Sequence, residues 1–506
     1  MECIITIEIG TNAVRIMAFD LAGNIVGSSK GSYPTFHVEP DYSEQDPDQM
    51  FITMLYVMKN LLNEKIHPLN YRIISICFSA SMHSVLPIDK HGAALGNAIT
   101  WADNRGRKEA EDLKSSSIGS TIYNSTGTPI HPMSPLIKIA WLNRQDPERF
   151  RKASKFITIK TYIIQQLTKE YYLDYSLASA TGLLNIHTRK WEDTALDYAG
   201  ITTGRLPELV PVFHSLGTIR KEYQKSLGLP NGVKIIIGSS DGCLATLGGG
   251  VWEKDKATIT IEDSGAVRVV SETVLEDSKQ RLFNYLLTDK YYISGGPTNN
   301  GGVAFEWFAK QFGDFKNLYD VENVMQHLVH QAMDSRPGSD GLLFLPYLLG
   351  ERAPIWNANA RGTYFGINIK HEKRHFIRAT IEGILYEIYS IGKTLEDHRT
   401  INSLTANGSF ASIPFCTQLL ADIFNKPISI GVNPDSIAQG AFLLSATDLG
   451  IYDSLDNAAK SVKMATTFEP FKQNNPIYMK YFELFERLSV KLQEEFSEIT
   501  RLQNEN

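Results

Sequence analysis

Short apolar runs broken by turns rich in Gly, Ser and Asn set the pattern of this chain. In IITIEIGTNAVRIMAFDLAGNIVG, near the N-terminus, two β-rich runs flank Gly10-Thr11-Asn12, and a turn at Ala22-Gly23-Asn24 leads into a third run. YRIISICFSA and VKIIIGSS are continuous apolar runs suited to buried strands, each leading into a Ser-rich turn. HFIRATIEGILYEIYSIGKTL and YMKYFELFERLSVKLQEEFSEITRL space their apolar residues for one face of a helix. Strands and helices therefore alternate, which predicts an α/β fold.

One pattern occurs twice. TIEIGTNAVR (Thr6 to Arg15) and TIEDSGAVR (Thr260 to Arg268) both read Thr-Ile-Glu, a small polar turn, then Ala-Val-Arg opening the next strand. Recurrence about 250 residues on predicts an internal duplication of a whole domain. The expected domains are residues 1–250 and 251–506. No low-complexity linker separates them, so they are expected to meet along a cleft, the favoured place for a small-molecule site.

Composition narrows the function. A chain of 506 residues exceeds one core, and 43% hydrophobic with 21% charged residues suits a soluble globular protein. A net charge of −6 gives no electrostatic ground for a nucleic-acid or anionic-membrane partner. No apolar run reaches membrane-spanning length, and MECIITIEIG lacks a basic region followed by an apolar core, so a cytoplasmic location is expected. Cys3, Cys77, Cys243 and Cys416 lack metal-ligand or redox spacing and are expected to be reduced core thiols.

Candidate chemistry lies in the turns. In GSSDGCLATLGGG, Asp241 follows a strand and opens a small-residue helix, where it suits either an N-cap or a general base. The turns at Gly10-Thr11 and Ser264-Gly265 can aim N–H groups and hydroxyls at phosphate oxygens, or can be ordinary hairpins. His83, Asp103, Arg105 and His131 each follow a strand or turn in the first half. Together they suit a polyhydroxy or carboxylate ligand, since Arg presents a planar fork and Asp accepts from hydroxyls.

Beyond these residue types, the chain resembles the FGGY carbohydrate kinases along nearly its whole length. MSPLIKIAWLNRQ (Met133 to Gln145) and GTYFGINIKHEKRHFIRATIE (Gly362 to Glu382) meet two long family signatures. SMHSV, ITWADNR, TGTPIHPMSPL, DYSLASATGLLN, GGPTNNGG and YLLGERAPIWN look most like the gluconate-phosphorylating members. The resemblance implies two ribonuclease H-like domains of the actin/hexokinase/Hsp70 type flanking a cleft, and ATP- and Mg²⁺-dependent phosphorylation of D-gluconate at its terminal hydroxyl. It implies Asp241 as the base, with Met82, His83, Asp103, Arg105 and His131 lining the sugar site. It places Gly10, Thr11, Asn12 and Arg15 on the first phosphate turn, and Glu262, Asp263, Ser264 and Gly265 on the second. Gly408-Ser409 would lie along the nucleotide, and Glu8 with Asp241 would face the metal. The implied partners are a sugar acid and ATP, with a homodimer left open.

The chain departs from the family on the nucleotide side. Glu8 stands where the family has Asp, Glu262-Asp263 where it has Gly-Thr, Ala13 where it has a hydroxyl, and Ser409 where it has Gly. A carboxylate about 5 Å from a phosphate charge costs roughly 3 kcal/mol at an effective dielectric near 20, unless a bridging cation intervenes. Three functions stay open: an active gluconate kinase, a catalytically impaired relative that binds a sugar acid as a regulatory protein, and a kinase for another sugar such as xylulose.

Overall fold

The computed structural model describes residues 1–39, 41–313 and 321–505. The chain forms two compact units. The first comprises Met1–Trp252, Val270–Ser294 and Asp435–Val462, and the second Glu253–Val269, Gly295–Pro434 and Lys463–Asn506. Residues 270–294 and 435–462, which the sequence assigns to the second half, thus belong to the first unit. Helix Ser436–Asp448 shows why. Its Phe442, Leu443 and Leu444 share a buried cluster with Cys243, Leu244 and Leu247 of helix Asp241–Gly248. Two glycines let the backbones meet: a Cβ on Gly248 would lie 1.9 Å from the Ser436 carbonyl oxygen, and one on Gly440 2.0 Å from that of Leu244.

The first unit is built on β1 (Glu2–Ile9), β2 (Ala13–Asp20), β3 (Ile25–Ser32), β4 (Arg72–Ala80) and β5 (Lys234–Ser240), in the order β5-β4-β1-β2-β3. β1, β2 and β3 are antiparallel, while β1, β4 and β5 are parallel. β1 and β5 are buried on both faces, as continuous apolar runs in parallel pairs should be. β3 is the polar edge, and Lys30 on it discourages pairing with another chain. Helix Pro47–Leu61 lies under this edge. Asp46 caps it by accepting from the N–H groups of Asp48 (2.9 Å) and Gln49 (3.2 Å), a contact worth about 1 kcal/mol.

A second sheet repeats the plan with β6 (Lys256–Ile261), β7 (Gly265–Ser271), β8 (Tyr292–Thr298), β9 (Ser403–Asn407), β10 (Ile428–Gly431) and β11 (Met464–Phe468). Their order is β8-β7-β6-β9-β10-β11. Again the central hairpin is antiparallel and the next two strands are parallel to it. The order β3-β2-β1-β4-β5 is thus matched by β8-β7-β6-β9-β10, the ribonuclease H-like arrangement expected from the sequence. The C-terminal apolar pattern spans two helices, Asn475–Lys491 and Gln493–Glu505, broken at Leu492 (φ −91°, ψ 10°). All four cysteines are free and buried. Among the described residues, no helix is long and apolar enough to cross a membrane.

Candidate active site

The hairpin of β1 and β2 leaves Gly10-Thr11-Asn12 as its turn. The Gly10 N–H donates to the Ala13 carbonyl over 3.0 Å. Neighbours hold the turn from outside: the Tyr33 hydroxyl donates to the Gly10 carbonyl, and the Gln45 amide to the Thr11 carbonyl. Trp101 Nε1 donates to Thr11 Oγ1 over 2.8 Å, which leaves the Thr11 hydroxyl proton for a ligand oxygen.

Glu8 lies within β1, directly opposite Arg15 on β2. Arg15 Nε and Nη2 meet its two oxygens at 2.9 Å each, and Arg15 Nη1 is 3.8 Å from Asp435 Oδ2. Burial pushes the Glu8 carboxyl up to about 7; Asp435 and Asp241 add to the push and Arg15 opposes it. Arg15, expected to face the nucleotide, has thus closed its fork on Glu8.

Asp241 is the first residue of its helix, and the cap is Ser240, whose Oγ accepts from Cys243 N–H at 3.4 Å. Asp241 Oδ1 accepts from Gly242 N–H at 2.7 Å. A carboxylate in the first turn is favoured by the positive end of the helix. The strand behind it is fixed by buried polar contacts: Lys160 Nζ bonds Asp174 (2.8 Å) and the Ser239 carbonyl (3.2 Å), and Ser176 Oγ bonds Ser240 Oγ (2.8 Å).

The residues expected at the sugar site gather in the first unit. His83 is buried and left-handed (φ 69°); its Nδ1 is 2.8 Å from the Ala180 carbonyl and its Nε2 3.5 Å from the Tyr285 hydroxyl. His131 Nδ1 accepts from Met133 N–H at 3.2 Å. Met82 is half-buried beside His83. Arg105 is stacked on Tyr42, its guanidinium carbon 3.6 Å from the ring centroid. Its Nε and Nη2 bond Asp103 at 2.9 and 2.7 Å, and Nη2 also reaches Glu44 at 2.6 Å. The fork expected to take a substrate carboxylate is therefore closed by two internal ones, and only Nη1 has no hydrogen-bond partner among the described residues.

Two residues of this cluster escape sequence inspection. Glu44 carries no motif of its own and lies 61 positions from Arg105. Lys138 sits inside a family signature but has the look of a helix surface lysine. It is in fact fully buried, and its Nζ donates to the carbonyls of His83 (2.6 Å) and Met133 (2.7 Å).

In the second unit, Glu262-Asp263-Ser264 form the turn, because β6 and β7 close at the pair Ile261–Gly265. The two Thr-Ile-Glu triplets are therefore not equivalent in place: Glu8 is a strand residue facing Arg15, whereas Glu262 lies beyond its strand and Arg268 faces Thr258. The Glu262 and Asp263 carbonyls accept from the N–H groups of Gly301, Gly302 and Val303 at 2.6 to 3.2 Å. Gly408 (φ 94°) passes so close that a Cβ would lie 2.3 Å from the Ile261 carbonyl oxygen. Ser409 Oγ donates to Glu262 Oε2 over 2.9 Å. Glu262, Asp263 and Ser409 line a cavity of about 1310 Å³, together with Phe410, Phe415 and Tyr478. Ser264, Gly265 and Gly408 do not line it; Gly265 is buried, and a Cβ there would lie 2.6 Å from Ile388.

Among the described residues, no group of three or more His, Cys, Asp or Glu side chains is placed to hold a metal. Both Glu8 oxygens accept from Arg15 and Asp241 Oδ1 accepts from the Gly242 N–H, so either carboxylate would meet a cation with its remaining lone pairs. One carboxylate suits Mg²⁺ whose remaining ligands are donor phosphates and water.

A ribonuclease H-like sheet occurring twice in one chain is the plan of the actin/hexokinase-type sugar kinases. The N-terminal domain of the FGGY family of carbohydrate kinases matches residues 3–248 and its C-terminal domain residues 257–449, and the chain belongs to that family. It is a sugar kinase with ATP as phosphoryl donor. It is 36% identical to a gluconokinase of Bacillus subtilis (strain 168), over 98% of this chain and 97% of that one. Among solved structures it is similar to a ligand-bound xylulose kinase from Lactobacillus acidophilus, with TM-score 0.91 and 32% identity over 99% of this chain and 100% of that one. A gluconate kinase from the same organism gives TM-score 0.90 and 32% identity over 98% and 100%.

Proposed function

We propose that the protein phosphorylates D-gluconate at its terminal hydroxyl, giving 6-phosphogluconate. The observation that carries this is the 36% identity to a gluconokinase along almost the whole chain. Asp241 accepts the proton of the attacking hydroxyl, oriented by the Gly242 N–H. Phosphoryl transfer has a loose transition state, so an ordinary carboxylate serves as a late proton acceptor. Thr11 offers its hydroxyl proton, and the Gly10 turn its backbone, to the donor's phosphates. Mg²⁺ bound with ATP would neutralise phosphate charge, with Asp241 and Glu8 the carboxylates to meet it. His83, His131, Asp103 and Arg105 hold the acceptor's hydroxyls.

Purified protein with ATP, Mg²⁺ and a panel of sugars and sugar acids tests this. Gluconate should be the preferred acceptor, and Asp241→Asn should lower kcat by about 10²- to 10⁴-fold with gluconate affinity retained. No product from any acceptor, with gluconate still bound in calorimetry, would leave the protein a sugar-acid binder instead. A specific observation favours a second reading, a ketose such as xylulose: Asp103 and Glu44 already occupy two of the Arg105 nitrogens. The same panel separates the two.

A further inference from the structure

We propose that Trp101 positions the first phosphate turn from the acceptor side, so that the sugar acceptor and the nucleotide strengthen each other's binding through Thr11. This rests on the placement of both ligands proposed above and adds the contact that couples them. Thr11 lies in the turn Gly10-Thr11-Asn12 and makes two hydrogen bonds among the described residues. Trp101 Nε1 donates to its Oγ1 over 2.8 Å, and the Gln45 amide donates to its carbonyl. Neither partner lies on the β1–β2 hairpin that carries the turn.

Both partners belong to one hydrogen-bonded block, and that block carries Asp103 and Arg105. Glu44–Gln45 pairs antiparallel with Ala98–Ile99. The Ser43 carbonyl accepts from the Thr100 N–H at 2.9 Å, and Ser43 Oγ lies 2.7 Å from Thr100 Oγ1. The Ser43 N–H donates to Asp103 Oδ2 at 2.7 Å, and Glu44 accepts from Arg105 at 2.6 Å. An acceptor hydroxyl that bonds Asp103 or Arg105 therefore engages the same short segments that grip Thr11 by its side chain and its carbonyl. An acceptor bound there fixes those segments further, so less remains to be fixed when the nucleotide takes the Thr11 hydroxyl. The indole also directs that hydroxyl. An oxygen that accepts from an N–H keeps its own proton for a ligand and becomes the better donor. Packing alone would need only the ring, so phenylalanine at position 101 separates the two roles.

The test measures by calorimetry the Kd of a non-hydrolysable ATP analogue with Mg²⁺, with and without saturating acceptor. The acceptor is whichever the panel above turns over, so failure of gluconate alone leaves the test standing. In wild type the acceptor should tighten the analogue about 5-fold, the size of one neutral hydrogen bond, and the analogue should tighten the acceptor equally. Trp101→Phe should reduce this tightening to about 2-fold or less, whereas Thr11→Ser, which keeps the oxygen, should preserve it. In steady state with saturating acceptor, Trp101→Phe should lower kcat/KM for ATP about 5-fold. The same substitution should have no effect in a Thr11→Val background, where the bond has no acceptor. Tightening absent from wild type or retained in Trp101→Phe overturns the proposal. So does an equal loss of kcat/KM in both backgrounds, which would leave Trp101 a packing residue. If Trp101→Phe does not fold, Gln45→Leu, which frees the Thr11 carbonyl, should lower the tightening, and no change there overturns the proposal equally. A wild type that turns over no acceptor at all would sink the reading of the site and this proposal with it.

Discussion

Glu8→Gln should stabilise the protein at pH 8 and have almost no effect at pH 5. In the folded chain burial pushes the Glu8 carboxyl from 4.5 up to about 7, even with Arg15 at 2.9 Å from both oxygens. Between these two values the folded state keeps a proton that the unfolded state has released. Stability therefore falls as pH rises through this window, and above about 7 the whole penalty is present. The difference of about 2.5 units, at about 1.36 kcal/mol each, gives about 3 kcal/mol. Glutamine imitates the protonated acid and keeps one oxygen to accept from Arg15, but its NH2 group opposes the second Arg15 N–H, at a cost of about 1 kcal/mol. The expected gain at pH 8 is then about 2 kcal/mol. Urea denaturation of both proteins at pH 5, 6, 7 and 8 reads it as the midpoint shift multiplied by a common slope. The reasoning fails if the difference between the proteins does not change with pH. It fails equally if the variant is weaker at pH 8, because the Arg15 ion pair would then outweigh the cost of burial.

Two further outcomes follow from the acidic turn of the second unit and from the helix contact of the first unit. Glu262→Gly with Ser409→Gly should lower the KM for ATP by about 4- to 300-fold, the effect of removing one carboxylate about 5 Å from phosphate between bulk and surface dielectric. The gain should shrink in high salt, Ser409→Gly alone should not produce it, and an unchanged KM would show that Glu262 already works through a bridging cation. Gly440→Ala sets a methyl 2.0 Å from the Leu244 carbonyl oxygen and should destabilise the first unit by several kcal/mol, seen as a fall in Tm; an unchanged Tm would mean that the two helices separate freely.

The strands and helices were legible because their apolar periods are local properties of the chain. The repeated domain was legible because its two hairpins share residues. What the sequence hid depends on contacts between distant segments. Residues 435–462 join the first unit through Gly248 and Gly440, and a close approach between two glycines leaves no periodic trace. The motif around Asp103 and Arg105 displays its residue types, but whether the guanidinium is open depends on Glu44, 61 positions away. Lys138 reads as an ordinary helix lysine, since its burial is set by loops that arrive from other parts of the chain.

The acidic turn shows the same limit most clearly. Two identical Thr-Ile-Glu triplets place one glutamate inside a strand, clasped by Arg15, and the other at a cavity wall, because each hairpin closes at a different distance from its triplet. Two departures from the family, Glu262 and Ser409, stand 147 positions apart in sequence and are joined by one hydrogen bond. A glycine at either position would leave the other side chain without this partner. They are therefore better understood as one coupled change in that cavity than as two independent losses. A tethered carboxylate has a fixed place in that cavity, and one fixed anionic oxygen on its wall weakens polyphosphate binding without abolishing it. The pairing favours a kinase with an altered donor site over one that has lost it.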